Sequence, residues 1–329
     1  ISIAKIVETQ GGLTSSGLTI YLDSKNTLSY PGSGTTWFDL TNNSYDGTLS
    51  NIDYVNDQFL FNSTADEVTF PSYNTHKSTT FTYEFWVTPT ATHQIDVESN
   101  GGTSGTSGQK YLLDAVQEAA NSGCGISVGT NGVSVYGHGN SYMPSLLVDT
   151  TAIPNNQLTQ IVVTVTGNTP SLYINGNFVK TGLTATRTLF GGFQTIGRNS
   201  AYGNFEGTVT RALYYNKTLS ASEILNNYNF YNNLLLFDEF TNTNNTAIAS
   251  HTPDTQAVSG SYRTVQTFGS STGIQIISNR AQGTSNNTTN AVAVIETGQS
   301  DIILTCDVNK NSTTVSAGGT GVAFRVSGS

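Results

Sequence analysis

The sequence predicts an all-β chain built from antiparallel two-sheet sandwiches, and three observations carry that expectation. Thr, Val, Ile, Tyr and Phe, which suit pleated sheets, are plentiful, while the helix-favouring Lys, Glu and Ala are scarce. Short runs of alternating apolar and polar residues recur along the chain, and Gly, Asn, Pro or Ser clusters separate most of them. Its 329 residues suffice for two domains, each with its own buried core.

Residues 1–14 read as a lead-in segment and residues 15–232 as the first sandwich. The latter holds about eleven strand-like runs, among them "GLTIYLD", "QFLFNS", "FTYEFWVTP", "GVSVYGHG", "TQIVVTVT" and "GTVTRALYY". In "FTYEFWV" alternation aims Phe81, Tyr83, Phe85 and Val87 at one face and Thr82, Glu84 and Trp86 at the other. "SLYINGNFVKTG" predicts a hairpin, because Asn175 and Gly176 both tolerate the positive φ that a type I′ turn demands. Its role is structural: it reverses the chain and fixes strand register.

One helix is expected, in "TLSASEILNNYNFY". Ser220 stands at the N-cap with Glu223 three residues on, as in a capping box. Leu219 and Ile224 flank the cap like a hydrophobic staple. Ile224, Leu225 and Tyr228 then form a narrow apolar stripe that closes the domain. Beyond it the strand pattern restarts at "LLLFDEF", which places a second β-sandwich, truncated at its end, over residues 233–329. The opening at Ile1 and the stop at "FRVSGS" suggest a fragment of a longer polypeptide.

With 13 basic and 22 acidic residues the formal net charge is −9. Nucleic-acid binding is not expected, since phosphate neutralisation needs clustered Lys and Arg. Membrane insertion is not expected either, because no apolar run approaches the roughly 18 residues of a span. Cys124 and Cys306 lie far apart and read as two free buried thiols, with an inter-domain disulfide as the other reading.

The first domain resembles the laminin-G-like, concanavalin A-type jelly rolls of phage, bacterial and giant-virus surface proteins. "GLTIYLDSKNTLSYPGSGTTWFDLTNNSYDGTL", "FTYEFWVTP", "PSLYINGNFVKTG", "FQTIGRNSAYGNFEGTV" and "LYYNKTLSASEILNNY" follow in that family's order over residues 13–231. Thr210 and Arg211 depart from its usual acidic and hydrophobic pattern, so no carboxylate role is carried over. The second domain is similar to another concanavalin A-like module through Asp238, Phe240, His251, Thr252, Pro253 and Asp254, with Tyr262 where Trp is usual. Both likenesses imply a jelly-roll β-sandwich.

Catalytic chemistry finds little footing. A hydrolase of the concanavalin A class would need two carboxylates on one strand face, flanking a glycosidic bond. Asp96 and Glu98 have alternate spacing but precede the loop "GGTSGTSG", and Asp66 and Glu67 face opposite ways. His76, His93, His138 and His251 share no metal-ligand spacing. His251 and Asp254 in "SHTPDT" read as a turn. No cofactor is expected. Calcium is the metal that the resemblance leaves open; Asp96, Asp114 and Asp149 could donate oxygen, but no Asp-rich loop gathers them, so no ligands are assigned.

The candidate ligand-binding residues are Tyr136, His138, Asn140 and Tyr142 in "YGHGNSYMPSL". Aromatic faces stack on sugars and planar amides fix hydroxyls. An ordinary loop rim and a subunit contact are the competing readings of that segment. Trp37 and Trp86 read as core or second-layer residues rather than binding platforms. The function expected is non-enzymatic: a virion surface or structural protein (tail, baseplate or capsid-decoration fibre) displaying sandwiches for assembly and host-glycan adhesion. Its partners would be other virion or surface proteins in a multicopy assembly. The alternative is a carbohydrate-binding accessory module of a secreted bacterial enzyme or adhesin, at the cell surface or outside it.

Overall fold

The computed structural model describes residues 2–7, 13–114, 116–199 and 201–232, and short strands within 234–307. Two compact units divide the chain: Thr14–Tyr228, and Ile1–Leu13 with Asn229–Ser329.

In the second of these units β1 (Ser2–Val7), from the expected lead-in segment, pairs antiparallel with Leu234–Phe237 on one side and Ile303–Asp307 on the other. Further pairs join Thr246–Ala247 to Ile274–Ile276 and Arg263–Thr267 to Ala291–Val294. Asp238, Phe240, His251, Thr252, Pro253, Asp254 and Tyr262 lie outside the described residues.

The unit Thr14–Tyr228 is a sandwich of two antiparallel sheets. In chain order it begins with β2 (Leu18–Asp23), β3 (Thr36–Trp37), β4 (Gly47–Ser50), β5 (Asp53–Val55), β6 (Gln58–Phe61) and β7 (Glu67–Thr69). A short helix α1 (Tyr73–His76) precedes β8 (Phe81–Pro89), β9 (Tyr111–Leu113), β10 (Ser122–Gly129), β11 (Gly132–His138) and β12 (Ser145–Asp149). Then come β13 (Thr159–Thr166), β14 (Thr169–Ile174), β15 (Asn177–Thr181), β16 (Leu189–Phe190) and β17 (Thr195–Ile196). The hairpin β18 (Arg198–Asn199) and β19 (Gly203–Asn204), the long β20 (Gly207–Tyr215) and helix α2 (Ala221–Asn232) complete it.

One sheet runs β12-β11-β10-β9-β17-β7-β4-β3, with β16 added parallel to β10. The other runs β15-β14-β13-β8-β20-β6-β5. In it β20 is shared along its far edge: Gly207–Val209 pair with β6, while Arg211–Tyr215 pair with β2. Between the sheets lies one apolar core that includes Trp37, Phe59, Phe61, Phe85, Ile126, Val135, Ile161 and Phe193.

Alternation in β8 turns out as the sequence predicts: Phe81, Tyr83, Phe85 and Val87 enter the core. The opposite face is also buried, because α2 covers it. Trp86 stacks on Tyr228 with ring centroids 5.9 Å apart, and Leu219 N–H donates to the Thr82 hydroxyl at 2.9 Å. The capping box is present, with Ser220 N–H donating to Glu223 Oε2 at 2.8 Å and Glu223 N–H to Ser220 Oγ at 3.3 Å. Leu219 and Ile224 are buried beside it. The hairpin also forms at Asn175 and Gly176, whose φ values of 51° and 76° are those a type I′ turn needs. Cys124 is a free buried thiol, pushed up in pKa by that burial.

Candidate functional site

At one rim of the sandwich four loop segments enclose a cleft of about 400 Å³. Asn62, Ser63 and Thr64 come from the β6–β7 connection, and Gly108, Gln109 and Lys110 precede β9. Tyr202 lies in the turn of the β18–β19 hairpin with Gly203 and Asn204 on its returning strand, and Glu206 precedes β20.

Each wall has a local cause. The buried Asp66 carboxylate ties down the first, accepting the N–H groups of Asn62 and Ser63 at 2.7 Å each. Gly203, at φ +142°, lies so close to the Gln109 carbonyl that a Cβ would stand 1.9 Å from its oxygen. Only glycine lets the hairpin approach that wall. Lys110 is fixed by its N–H on Ser127 Oγ at 2.9 Å, and its ammonium pairs with Glu206.

Behind the cleft runs a polar chain whose His93, Gln109 and Tyr136 are buried and whose Asp96 is half-buried. The Gln109 amide donates to Asp96 Oδ2 at 3.0 Å, and its oxygen lies 3.4 Å from His93 Nδ1. Tyr136 donates its hydroxyl to the same Asp96 oxygen at 2.8 Å. Burial lowers the His93 pKa to about 4, the Gln109 bond offsetting only part of the effect. Tyr202 packs on the cluster Tyr111, Tyr136 and Met143, and meets His138 edge-on at 5.9 Å. Asn204 Oδ1 is buried and has no protein hydrogen-bond partner.

Of the four residues singled out in the sequence, His138 is half-buried against Tyr202 and Asn140 is exposed. Asn140 accepts hydrogen bonds from Gln117 at 2.5 Å and, at its backbone oxygen, from Arg187 at 2.9 Å. The two tyrosines do not offer open faces: Tyr136 is 0 % and Tyr142 4 % exposed. The reason lies in the glycines. A Cβ on Gly105 would stand 2.7 Å from the Tyr136 ring, and one on Gly137 would stand 3.0 Å from the Tyr142 ring. Both rings fold down over bare backbone, and Arg187 covers Tyr142 at 4.6 Å from its ring centre.

Tyr202 and the amides around it were not singled out. Their signal is "AYGNFEG", the same mixture of aromatic, glycine and asparagine as the segment that was. Trp37 lies in the core between the sheets and Trp86 in a second buried layer against α2, as expected. Asp96 and Glu98 serve the framework separately, Glu98 Oε1 accepting from Val148 N at 2.8 Å and from Lys180 Nζ at 2.5 Å. Among the described residues no three His, Cys, Asp or Glu side chains gather as a metal site would require, and no helix is long and apolar enough to cross a membrane.

Residues 62–225 match the model of the concanavalin A-like lectin/glucanases superfamily in its laminin-G-like form. No curated protein sequence matches the chain. Among solved structures it is similar to the Trypanosoma rangeli sialidase in complex with 2,3-difluorosialic acid, at 20% identity and TM-score 0.47, over 67% of this chain and 34% of that one. It is also similar to domain 4 of AbnA, a GH43 extracellular arabinanase from Geobacillus stearothermophilus, in complex with arabinotriose. There the identity is 17% and the TM-score 0.45, over 65% of this chain and 100% of that one. The botulinum neurotoxin type G receptor binding domain matches at 17% identity and TM-score 0.44, over 66% of this chain and 52% of that one. The chain thus spans about a third of the length of the sialidase. With the family model seated on its two sheets, the β-sandwich of this chain belongs to the concanavalin A-like lectin/glucanase superfamily, as a laminin-G-like domain.

Proposed function

We propose that the first β-sandwich is a carbohydrate-binding module and that the rim cleft around Tyr202 holds a short stretch of glycan. The observation that carries this reading is the composition of the cleft. One tyrosine ring, two asparagine amides and two hydroxyl side chains line a single open space, over a Gln109 held from behind by Asp96. A sugar offers an apolar ring face and a belt of hydroxyls, and those are the groups that a phenol ring and amides receive. Membership of a superfamily named for lectins and glucanases supports the same reading.

The role is binding rather than hydrolysis. Glu206 is the one carboxylate among the residues lining the cleft, and it is paired with Lys110. Most glycosidases set two carboxyl groups across one glycosidic bond. Display on a virion, a secreted enzyme or a cell surface would each use the cleft in this way, and several copies together would convert weak contacts into firm attachment.

A glycan array probed with the full chain tests the proposal, followed by titration of any ligand against Tyr202→Ala. Binding that weakens about tenfold or more in the variant is expected, the size of a lost aromatic contact. Silence across a broad array, or a variant that binds as the wild type does, would overturn it.

A further inference from the structure

Resting on the glycan-binding reading, we infer that this cleft selects neutral sugar chains and turns away those carrying a carboxylate, with Glu206 as the residue that sets the preference. A bound sialic or uronic acid needs an unengaged cation or a cluster of donors. Lys110 is the single cation among the cleft's lining residues, and Glu206 neutralises it. Arg198, the cross-strand partner of Asn204, is held by Glu67 at 3.0 Å. Neither positive charge stands unopposed at this rim.

The carboxylate at the rim points the same way. Glu206 keeps about half of its side chain exposed at the rim, at 46%, and so presents negative charge to an arriving ligand. The chain as a whole, at −9, adds a repulsive field for anions. Selectivity here is built partly from repulsion, which rejects the wrong ligand without needing extra contacts to the right one.

Glu206 and Lys110 make opposite and separable predictions. In a titration of the full chain at low salt, neutral oligosaccharides are expected to bind at least tenfold tighter than the same oligosaccharides ending in a sialic or uronic acid. Glu206→Gln releases Lys110, so the gap should close or reverse, and the gain for the acidic ligand should fade as salt is added. Lys110→Gln should widen the gap. Neutral binding with no discrimination, or a preference unmoved by either substitution, would overturn this inference and leave the glycan reading intact. Binding of neither class by the wild type would remove the glycan reading and this inference together. Unfolding midpoints of both variants, matched to the wild type, show that any change arises in the cleft.

Discussion

Asn227 of α2 donates its side-chain amide to Glu84 Oε2 of β8 at 2.7 Å, deep between the helix and the back of the sheet. Glu84 is fully buried, and two further donors reach its other oxygen: Gln160 Nε2 at 2.8 Å and Trp86 Nε1 at 3.0 Å. Desolvation raises its pKa against those hydrogen bonds and the nearby Arg211. An acid whose native pKa is raised binds its proton more tightly when folded. Its contribution is therefore complete below the unfolded value of roughly 4.3 and is lost as pH rises through the native value. Urea unfolding of Glu84→Gln beside the wild type should show the variant gaining relative stability with rising pH across that window. A difference that stays flat with pH would contradict this.

His93 works in the opposite sense. Its pKa is lowered to about 4 by burial, against an unfolded value near 6.5. Stability supplied by the neutral ring is thus complete above pH 6.5 and is lost as pH falls towards 4, by about 3 kcal/mol in total. A proton NMR titration of the His93 ring should give a midpoint near 4. His93→Gln should flatten the acid side of the stability profile. A midpoint near 6.5 would place the ring in water.

The capping box predicts a local cost. Ser220→Ala removes the acceptor for Glu223 N–H and should lower the unfolding free energy by about 1 kcal/mol. Glu223 titrates below its ordinary range: burial acts to raise it, but the Lys217 ammonium and the Ser220 groups together outweigh that effect. Restoring Asp at the cap should recover most of the loss, as measured by chemical denaturation.

Gly176→Ala tests the hairpin. The position has φ +76°, and an added Cβ would meet Leu225 at 2.9 Å and Tyr228 at 3.2 Å. A loss of about 1 kcal/mol or more is expected from the backbone alone. Because Gly176 N–H also donates to Gln160 Oε1 at 2.9 Å, and Gln160 holds Glu84, the substitution should be non-additive with Glu84→Gln in a double-mutant cycle.

What the sequence announced were features set by near neighbours. Alternation in β8, the Asn175-Gly176 turn and the Ser220–Glu223 cap each depend on residues a few positions apart, and each formed as expected. The second buried face of β8 was not legible, because it depends on a helix that arrives some 140 residues later in the chain, as Asn227 against Glu84 shows (|i−j| = 143). Burial of Tyr136 depends likewise on Gly105, in a distant loop. The cleft has no sequence spacing at all: Ser63, Gln109 and Asn204 meet only once both sheets are assembled.

β20 sits in the middle of its sheet, between β8 and the joint edge of β2 and β6, yet it is the last strand of its sandwich to be synthesised. Until it emerges from the ribosome, Leu22 lacks its neighbour Ala212 and Phe85 has only one flank covered. Such distant pairing slows folding and leaves sticky edges open meanwhile. A nascent chain halted before Gly207 is therefore the species on which chaperones and aggregation would compete, and production of this domain should be sensitive to whatever shields those edges during translation.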